Sequence, residues 1–436
     1  MEPSEHLFRH EAGRMVAALT RIFGVHNLAL AEDVVQDAFC RALEVWKFRG
    51  TPENPSAWLM ATAKNRALDV LRRERTARTY APELGRLLES EWTLAPTVEE
   101  LFAASATEDD VLRMMFSCCH PRVSEEAQVA LVLHILCGFS VGEVASAFMS
   151  SQAAMAKRIS RAKGTLASSK KLFDIAAPRD LAARLPAVQR ALYLLFNEGY
   201  HGASPELAVR ADLCQEAMRL VALLRENSLT ATPATYGLSA LMCLHAARLP
   251  GRIDAVGELR PFFEQDRSRW DRTLVAEGQR LLEHSAFGPE LTEYHVEAAI
   301  AWAHANAHGA EDTDWPMIVS LYDKLMAIRP SPVVALNRAI AMGQNEGPLR
   351  GLQELHAISN SERLAGYPFY HAALGEFEHR NGKNHAAAEY FTAALALARN
   401  PAERHFLEQR IRRVSARSTR DQNNQTFLNR GDCHRI

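Results

Sequence analysis

The chain contains no apolar run approaching the roughly 18 uncharged residues that a membrane-spanning helix needs, so no membrane partner is expected. Its opening residues, MEPSEHLFRHEAGR, lack a basic stretch followed by an apolar core and do not read as a secretory signal. Cysteine is sparse, at seven residues: Cys40, Cys118, Cys119, Cys137, Cys214, Cys243 and Cys433. An odd number without repeating spacing is a poor disulfide framework and suits a reducing compartment, so a soluble cytoplasmic protein is expected. Charge of one sign is also lacking, with 50 Lys and Arg against 52 Asp and Glu and a net charge of -2. Such a balance neither favours nor excludes a nucleic-acid partner, because distribution matters more than total. Phosphate-cradling and nucleophile-elbow motifs are missing too, so no catalytic group and no cofactor are expected. The mixed ligands of SCCH (117–120) with His134 and Cys137 are a poor zinc set, since adjacent cysteines on a helix cannot easily face one metal. His304 and His308 share a helix face but have no evident third ligand, and no metal is expected there.

Alternating β-branched runs are scarce as well. Alanine, leucine, glutamate and arginine dominate, and apolar residues recur at three and four positions almost throughout, which predicts an all-α fold. The 436 residues allow about two to four domains. Residues 1–78 read as one helical module and 111–172 as a second. Between them, residues 79–110 carry eight acids, one base and two prolines and read as an acidic linker. Residues 181–414 form a long helical region after the break APRDLAARLP, and 415–436, without periodicity, are expected to be disordered.

Positive charge is concentrated in two places. KNRALDVLRRERTAR (64–78) has six cations against two acids, and Lys157 to Lys171 has six cations and no acid. Two such patches suit two contacts on one polyanion, and they also suit two ordinary solvated helix faces. In AEDVVQDAFCRALEVW, Val35, Phe39, Ala42 and Trp46 make a buried stripe, with Asp33, Gln36, Asp37 and Glu44 opposite. Asp37 and Arg41 are spaced as an i,i+4 pair, and this face can be plain surface or a dock for a basic partner. In NPSAWLMATAKNRALDVLRRE, Pro55 and Ser56 mark a helix start. Arg66, Asp69 and Arg73 share a face on which Asp69 can pair with both arginines, while Asn65 and Asp69 can reach base edges or bond locally.

The stretch SEEAQVALVLHILCGFSVGEVASAFMSSQAAMAKRISRAKGTL resolves into three helices. The first runs to about Cys137 and ends at Gly138. The second is short and capped by Ser140 with Glu143 in a capping box, and the third is capped by Ser150 or Ser151. Met155, Ile159, Ala162 and Leu166 form the third helix's buried stripe, while Ala153, Lys157 and Arg161 point away and Arg158 lies on the flank. This is the anatomy of a helix-turn-helix, with small residues for groove approach and cations for phosphates.

Taken together, LAEDVVQDAFCRAL (30–43), NPSAWLMATAKNRALDVLRRE (54–74) and GFSVGEVASAFMSSQAAMAKRISRAK (138–163) resemble region two and region four of the extracytoplasmic-function class of bacterial RNA polymerase sigma factors. LYLLFNEGYHG (192–202) and the long extension resemble the subgroup with a C-terminal domain related to tetratricopeptide repeats. The resemblance implies that Asp33, Gln36, Asp37 and Arg41 dock on the β′ clamp helices of core RNA polymerase, with a further contact to the β flap. It implies that Lys64, Asn65, Arg66, Asp69, Arg72 and Arg73 meet promoter DNA at the -10 element. Ser151, Gln152, Ala153, Lys157, Arg158, Arg161 and Lys163 would then serve the -35 element. Two departures stand out: Met149 occupies a turn where the family often has glycine, and Ala154 and Met155 replace a usual threonine-valine pair.

In the extension, YPFYHAALGEFEHRNGKNHAAAEYFTAALALARNPAERHFLEQRI (367–411) resembles a helix-turn-helix repeat unit. It places Ala373 and Leu374 on one helix, Gly382 in the turn, Ala387, Tyr390 and Phe391 on the next helix, and opens a further helix at Pro401. SPVVALNRAIAMGQNEGPLRGLQEL (331–355) looks like a looser copy, and residues 235–265 like a further helical pair. Such stacks expose a concave surface that can hold a peptide or the protein's own first modules, so intramolecular regulation is expected. A helix-turn-helix repressor or activator with a repeat-type sensor domain, or a scaffold that does not bind DNA, are the alternatives.

Overall fold

A computed structural model of the chain describes residues 3–24, 27–77, 104–148, 150–168, 178–201, 209–252, 260, 262–307, 309, 311–359 and 361–431. The fold is all-α, with no strand among the described residues. Residues 79–103 of the acidic linker, Met149 and His308 lie outside the described residues. The chain divides into two compact units, one of residues 1–195 with 227–230 and the other of residues 196–226 with 231–436.

The first unit opens with α1 (Pro3–Phe23), α2 (Leu28–Arg49) and α3 (Pro55–Ala77). Gly50 ends α2 at φ 76°, a left-handed position that a residue with a Cβ rarely takes. The Asn54 side chain then accepts a hydrogen bond from Ala57 N at 3.0 Å and starts α3, with Pro55 on its first turn. On α2 the buried residues are Leu28, Ala31, Val34, Val35, Ala38 and Ala42. The expected stripe is therefore rotated: Phe39 and Trp46 are only half-buried, and Trp46 meets Trp58 of α3 with ring centroids 5.5 Å apart.

Next come α4 (Ala104–Cys118), α5 (Glu125–Leu131), α6 (Val141–Ala147) and α7 (Gln152–Ala167). The helix expected to run to Cys137 stops being α-helical at Leu131 and continues as a π turn, Val132–Leu136. Gly138, at φ 68°, ends the segment. The two expected modules pack directly on one another. Gly13 of α1 lies so close to Leu136 that a Cβ there would meet its carbonyl oxygen at 2.0 Å. Lys163 Nζ of α7 bonds Glu32 Oε1 of α2 at 2.7 Å.

Residues 178–186 of the expected break are helical, and Ala177 lies outside the described residues. Helix α8 (Pro178–Tyr200) runs through residues 178–186 with Pro186 inside, and Arg184 donates to the Phe116 carbonyl at 3.0 Å. Pro186 is exposed, where the N–H it lacks costs the core nothing.

The second unit continues with α9 (Ala211–Glu226), α10 (Pro233–Ala246), the single turn α11 (Leu249–Arg252), α12 (Arg272–His284) and α13 (Glu293–Asn306). Then follow α14 (Trp315–Ile328), α15 (Pro332–Asn345), α16 (Pro348–His356), α17 (Pro368–Arg380), α18 (Asn384–Ala396) and α19 (Pro401–Gly431). From α13 onward, consecutive helices pack on one another as a repeat-like array. The expected pair α17–α18 turns at Gly382, φ 81°, and buries Leu374, Ala387 and Phe391. The looser copy is α15–α16, and it holds Phe377 of the next helix in a slot. A Cβ on Gly343 would come within 2.3 Å of that ring, and one on Gly351 within 2.6 Å.

Of residues 235–265, expected as a further helical pair, the described ones give α10 and the single turn α11, with 253–259 and 261 outside the described residues, and α10 packs on α12 and α13. The tail expected to be disordered from 415 is helical to Gly431, as part of α19. Its residues are strongly polar but contain neither proline nor glycine before Gly431, so nothing local stops the helix.

Candidate nucleic-acid interface

The α6–α7 corner is built from local signals. Ser140 caps α6 by accepting from Glu143 N at 3.2 Å, and the Glu143 carboxylate accepts from Ser140 N at 2.7 Å. Ser151 caps α7, accepting from Ala154 N at 3.3 Å, which commits its hydroxyl to the helix end. Met155, Ile159, Ala162 and Leu166 are buried against Val144 and Ala145, as the spacing requires, while Phe148 is half-buried.

Burying that stripe turns Gln152, Ala153, Ala154, Lys157 and Arg161 outward, and all five are exposed. The remaining cations of α7 are engaged elsewhere. Arg158 Nη1 lies 3.1 Å from Glu126 Oε2, and Lys163, 26% exposed, is held by Glu32 and faces α2 rather than the open face. Lys157 and Arg161 make no ion pair with any described residue. With Arg122 and Thr165 they line an open groove between α7 and the start of α5. Arg122 was missed from sequence because it stands in a turn outside both basic runs.

On α2, Asp33, Gln36, Asp37 and Arg41 are all exposed. Asp37 does not pair with Arg41. It accepts from Arg66 Nε of α3 at 3.1 Å, so a contact between helices displaces the local i,i+4 one. With both partners about half exposed, this pair is worth at most about 1 kcal/mol. Leu43 and Phe48 also stand out from α2, 56% and 83% exposed. They fall outside the apolar stripe, which is the signal that could have marked them as contact residues.

On α3, Lys64 is half-buried, while Asn65, Arg66, Asp69, Arg72 and Arg73 form an exposed face. Asp69 approaches Arg72 at 3.9 Å rather than bridging Arg66 and Arg73. A row of arginines around a short amide and a short carboxylate can take phosphates and still present hydrogen-bonding groups to bases.

The buried thiols of Cys118 and Cys119 belong to the core. Burial pushes Cys118 up to about 12, with Glu32 adding to the rise, and raises Cys119 well above its ordinary value. Both remain protonated thiols, which are poor zinc ligands. His134 Nδ1 is 2.8 Å from the Phe139 carbonyl. Among the described residues no group of three or more His, Cys, Asp or Glu side chains is placed to hold a metal ion. No helix among them is long and apolar enough to cross a membrane. In LLFNEGY, Glu198 is buried beside Arg210 at 3.6 Å, with side chains 7% and 6% exposed.

With this geometry in place, comparison with known proteins identifies the class. Residues 7–77, which span α1 to α3, match sigma-70 region 2, so the chain carries a domain of non-catalytic transcription factors and has a sigma-factor-like role in transcription. Residues 184–286 match a family of unknown function, DUF6596. The chain is 38% identical over 403 residues to a protein of Rhizobium meliloti (strain 1021) described as uncharacterized protein R00370, covering 92% of this chain and 93% of that one. It belongs to the same family as that protein. No solved structure matches the chain.

Proposed function

We propose that the protein is a sigma factor of the extracytoplasmic-function type that brings core RNA polymerase to promoters and melts them. The observation that carries this reading is the region-2 match over residues 7–77, coinciding with the exposed α3 face of Asn65, Arg66, Asp69, Arg72 and Arg73. That face meets the -10 element and captures the melted strand. Asp33, Gln36, Asp37 and Arg41 of α2 dock on the clamp helices of the polymerase β′ subunit. On α7, Gln152, Ala153, Lys157 and Arg161 enter the major groove at the -35 element, with Arg158 on the flank and Ser151 as the cap. Lys163 contributes only when released from Glu32. The repeat-like helices of the second unit regulate these steps.

The reading carries a geometric requirement. The two promoter elements lie about 25 base pairs apart, roughly 85 Å at about 3.4 Å per pair. A packed domain of about 160 residues is only roughly 40 Å across. The α1–π-turn contact and the Glu32–Lys163 pair must therefore open before both elements can be held together.

The test is reconstitution of the full chain with core polymerase on genomic promoter fragments. The expected result is a stable complex with core and specific transcript starts. A protein that binds duplex operators alone, yet neither binds core nor starts transcripts, is instead a helix-turn-helix repressor or activator. Ending the chain after Tyr200 keeps the Arg184–Phe116 bond and removes the repeats. Unchanged initiation and core binding in that form would refute a regulatory role for them.

A further inference from the structure

Arginines inside the second unit generally have a carboxylate beside them. Arg210 has Glu198, Arg399 has Glu403 at 2.7 Å, and Arg338 has both Asp323 and Glu354 at 2.7 Å. Arg248 and Arg252 do not. They are 8% and 7% exposed and pair with no carboxylate among the described residues.

These two, with Arg267, are gathered by aromatic rings instead. The Arg248 guanidinium carbon lies 4.4 Å from the centre of the Phe262 ring and 5.5 Å from that of Trp270. Arg267 approaches the same two rings at 5.5 and 5.0 Å, so two like charges share one pair of π faces. Arg252 lies 4.1 Å over Tyr200, and its Nη2 is 3.4 Å from His201 Nδ1. Part of Arg267 is used on the carbonyls of His304 and Ala307, and carboxylates at Glu311 and Asp312 contribute to its field from farther away.

The donors left over are numerous. Among the described residues, buried Nε atoms of Arg248 and Arg252, Nη2 of Arg267, the Trp270 indole N–H and the Tyr200 hydroxyl find no hydrogen-bond partner. The nearby imidazoles supply no negative charge and add no compensating one. Burial, followed by repulsion from Arg248, lowers His245 and His304 to about 3, so both are neutral at physiological pH. Arg248 is itself lowered, chiefly by burial; Tyr200 opposes that shift, and repulsion from Arg252 and Arg267 adds to it.

An unpaired buried charge is strongly destabilising, and unmatched buried donors add to that cost. Aromatic faces ease the cost without neutralising the charge. Guanidinium forks fit the paired oxygens of a phosphate or carboxylate, which would complete both the charge balance and the hydrogen bonds. We propose that Arg248, Arg252 and Arg267 form a binding site for a compact oxyanion carrying two or more negative charges, bearing phosphoryl or carboxylate oxygens. Arg267, only half-buried, marks the side from which the anion enters. The three arginines and their rings fall within residues 184–286, so the proposal gives the matched family of unknown function a ligand-binding role. It does not rest on the promoter-binding reading.

The full chain is titrated with pyrophosphate, orthophosphate and citrate at constant ionic strength against a chloride control, followed by thermal melting and calorimetry. The expected result is saturable stabilisation of the wild type by at least one polyanion. A stronger response to pyrophosphate assigns the phosphoryl class, and a stronger response to citrate the carboxylate class. Arg248→Gln and Arg252→Gln should each weaken that binding at least tenfold while melting no lower than wild type without anion, because each removes an uncompensated charge. Should a glutamine variant fail to fold, the corresponding lysine variant keeps the charge, loses the fork and is read in its place. A wild type that gains no more from any of the three anions than from chloride, or variants that retain the full response, overturns the proposal.

Discussion

Gly13→Ala offers the sharpest probe of the packing between the two halves of the first unit. Gly13 is buried in α1, and a Cβ there would sit 2.0 Å from the Leu136 carbonyl oxygen and 2.8 Å from its carbon. A carbon–oxygen contact normally settles near about 3.3 Å, so the helix must retreat by more than about 1 Å. The obstacle is backbone in a π turn, which cannot swing aside as a side chain would. Overpacking of this kind costs about 1–3 kcal/mol. For a unit of this size that is a melting point about 2–12 °C lower. Hydrogen exchange at residues 132–139 should rise in parallel, and under the promoter-binding reading core affinity should increase because the closed arrangement is weakened. A variant that melts within about 1 °C of wild type with unchanged protection would refute the close α1–π-turn contact.

Other outcomes follow from single sites. Gly164→Ala, in α7 with nothing near the added Cβ, should raise stability by about 0.5–1 kcal/mol in chemical denaturation, and a loss would show that the exposed face is packed after all. Ser140→Ala breaks the capping box and should cost about 1 kcal/mol in the same assay, with no cost arguing against the cap. Lys157→Ala and Arg161→Ala should each weaken promoter binding and shallow its salt dependence by about one counterion, measured by binding across a salt series. An unchanged slope would remove these residues from the DNA face. His245 and His304 have folded values of about 3, below their unfolded values, so unfolding takes up protons between those limits. Stability contributed by the neutral rings is complete above about pH 6.5 and falls as pH drops toward 3. Melting of the His245→Gln, His304→Gln double variant should depend less on pH across this window, and an equal dependence would contradict the assignment.

Much of the fold was legible because its determinants are close in sequence. The Met155, Ile159, Ala162 and Leu166 stripe, the Ser140–Glu143 box and the turn at Gly382 depend on residues within one or two helical turns, whose geometry the backbone imposes. The exposed faces of α2 and α3 follow from the same periodicity, although the buried stripe of α2 was misjudged by leaving Trp46 inside it. Half-burial of an indole edge depends on Trp58, a residue on another helix.

Side-chain pairing was another matter. Asp37 takes Arg66 rather than Arg41, and Glu32 takes Lys163 across 131 positions, because tertiary packing brings those groups within hydrogen-bond reach. The same holds for Arg248, Arg252 and Arg267, which in sequence are ordinary cations around one-turn and 3-10 segments. Helical periodicity, caps and the presence of basic faces could be read from residue order alone, since these need only local hydrogen bonds and apolar spacing. Tertiary packing set which charges stay on the surface, which are neutralised, and which are buried beside aromatic rings with no counter-charge among the described residues. Desolvation acts on groups that distant segments of the chain bring together.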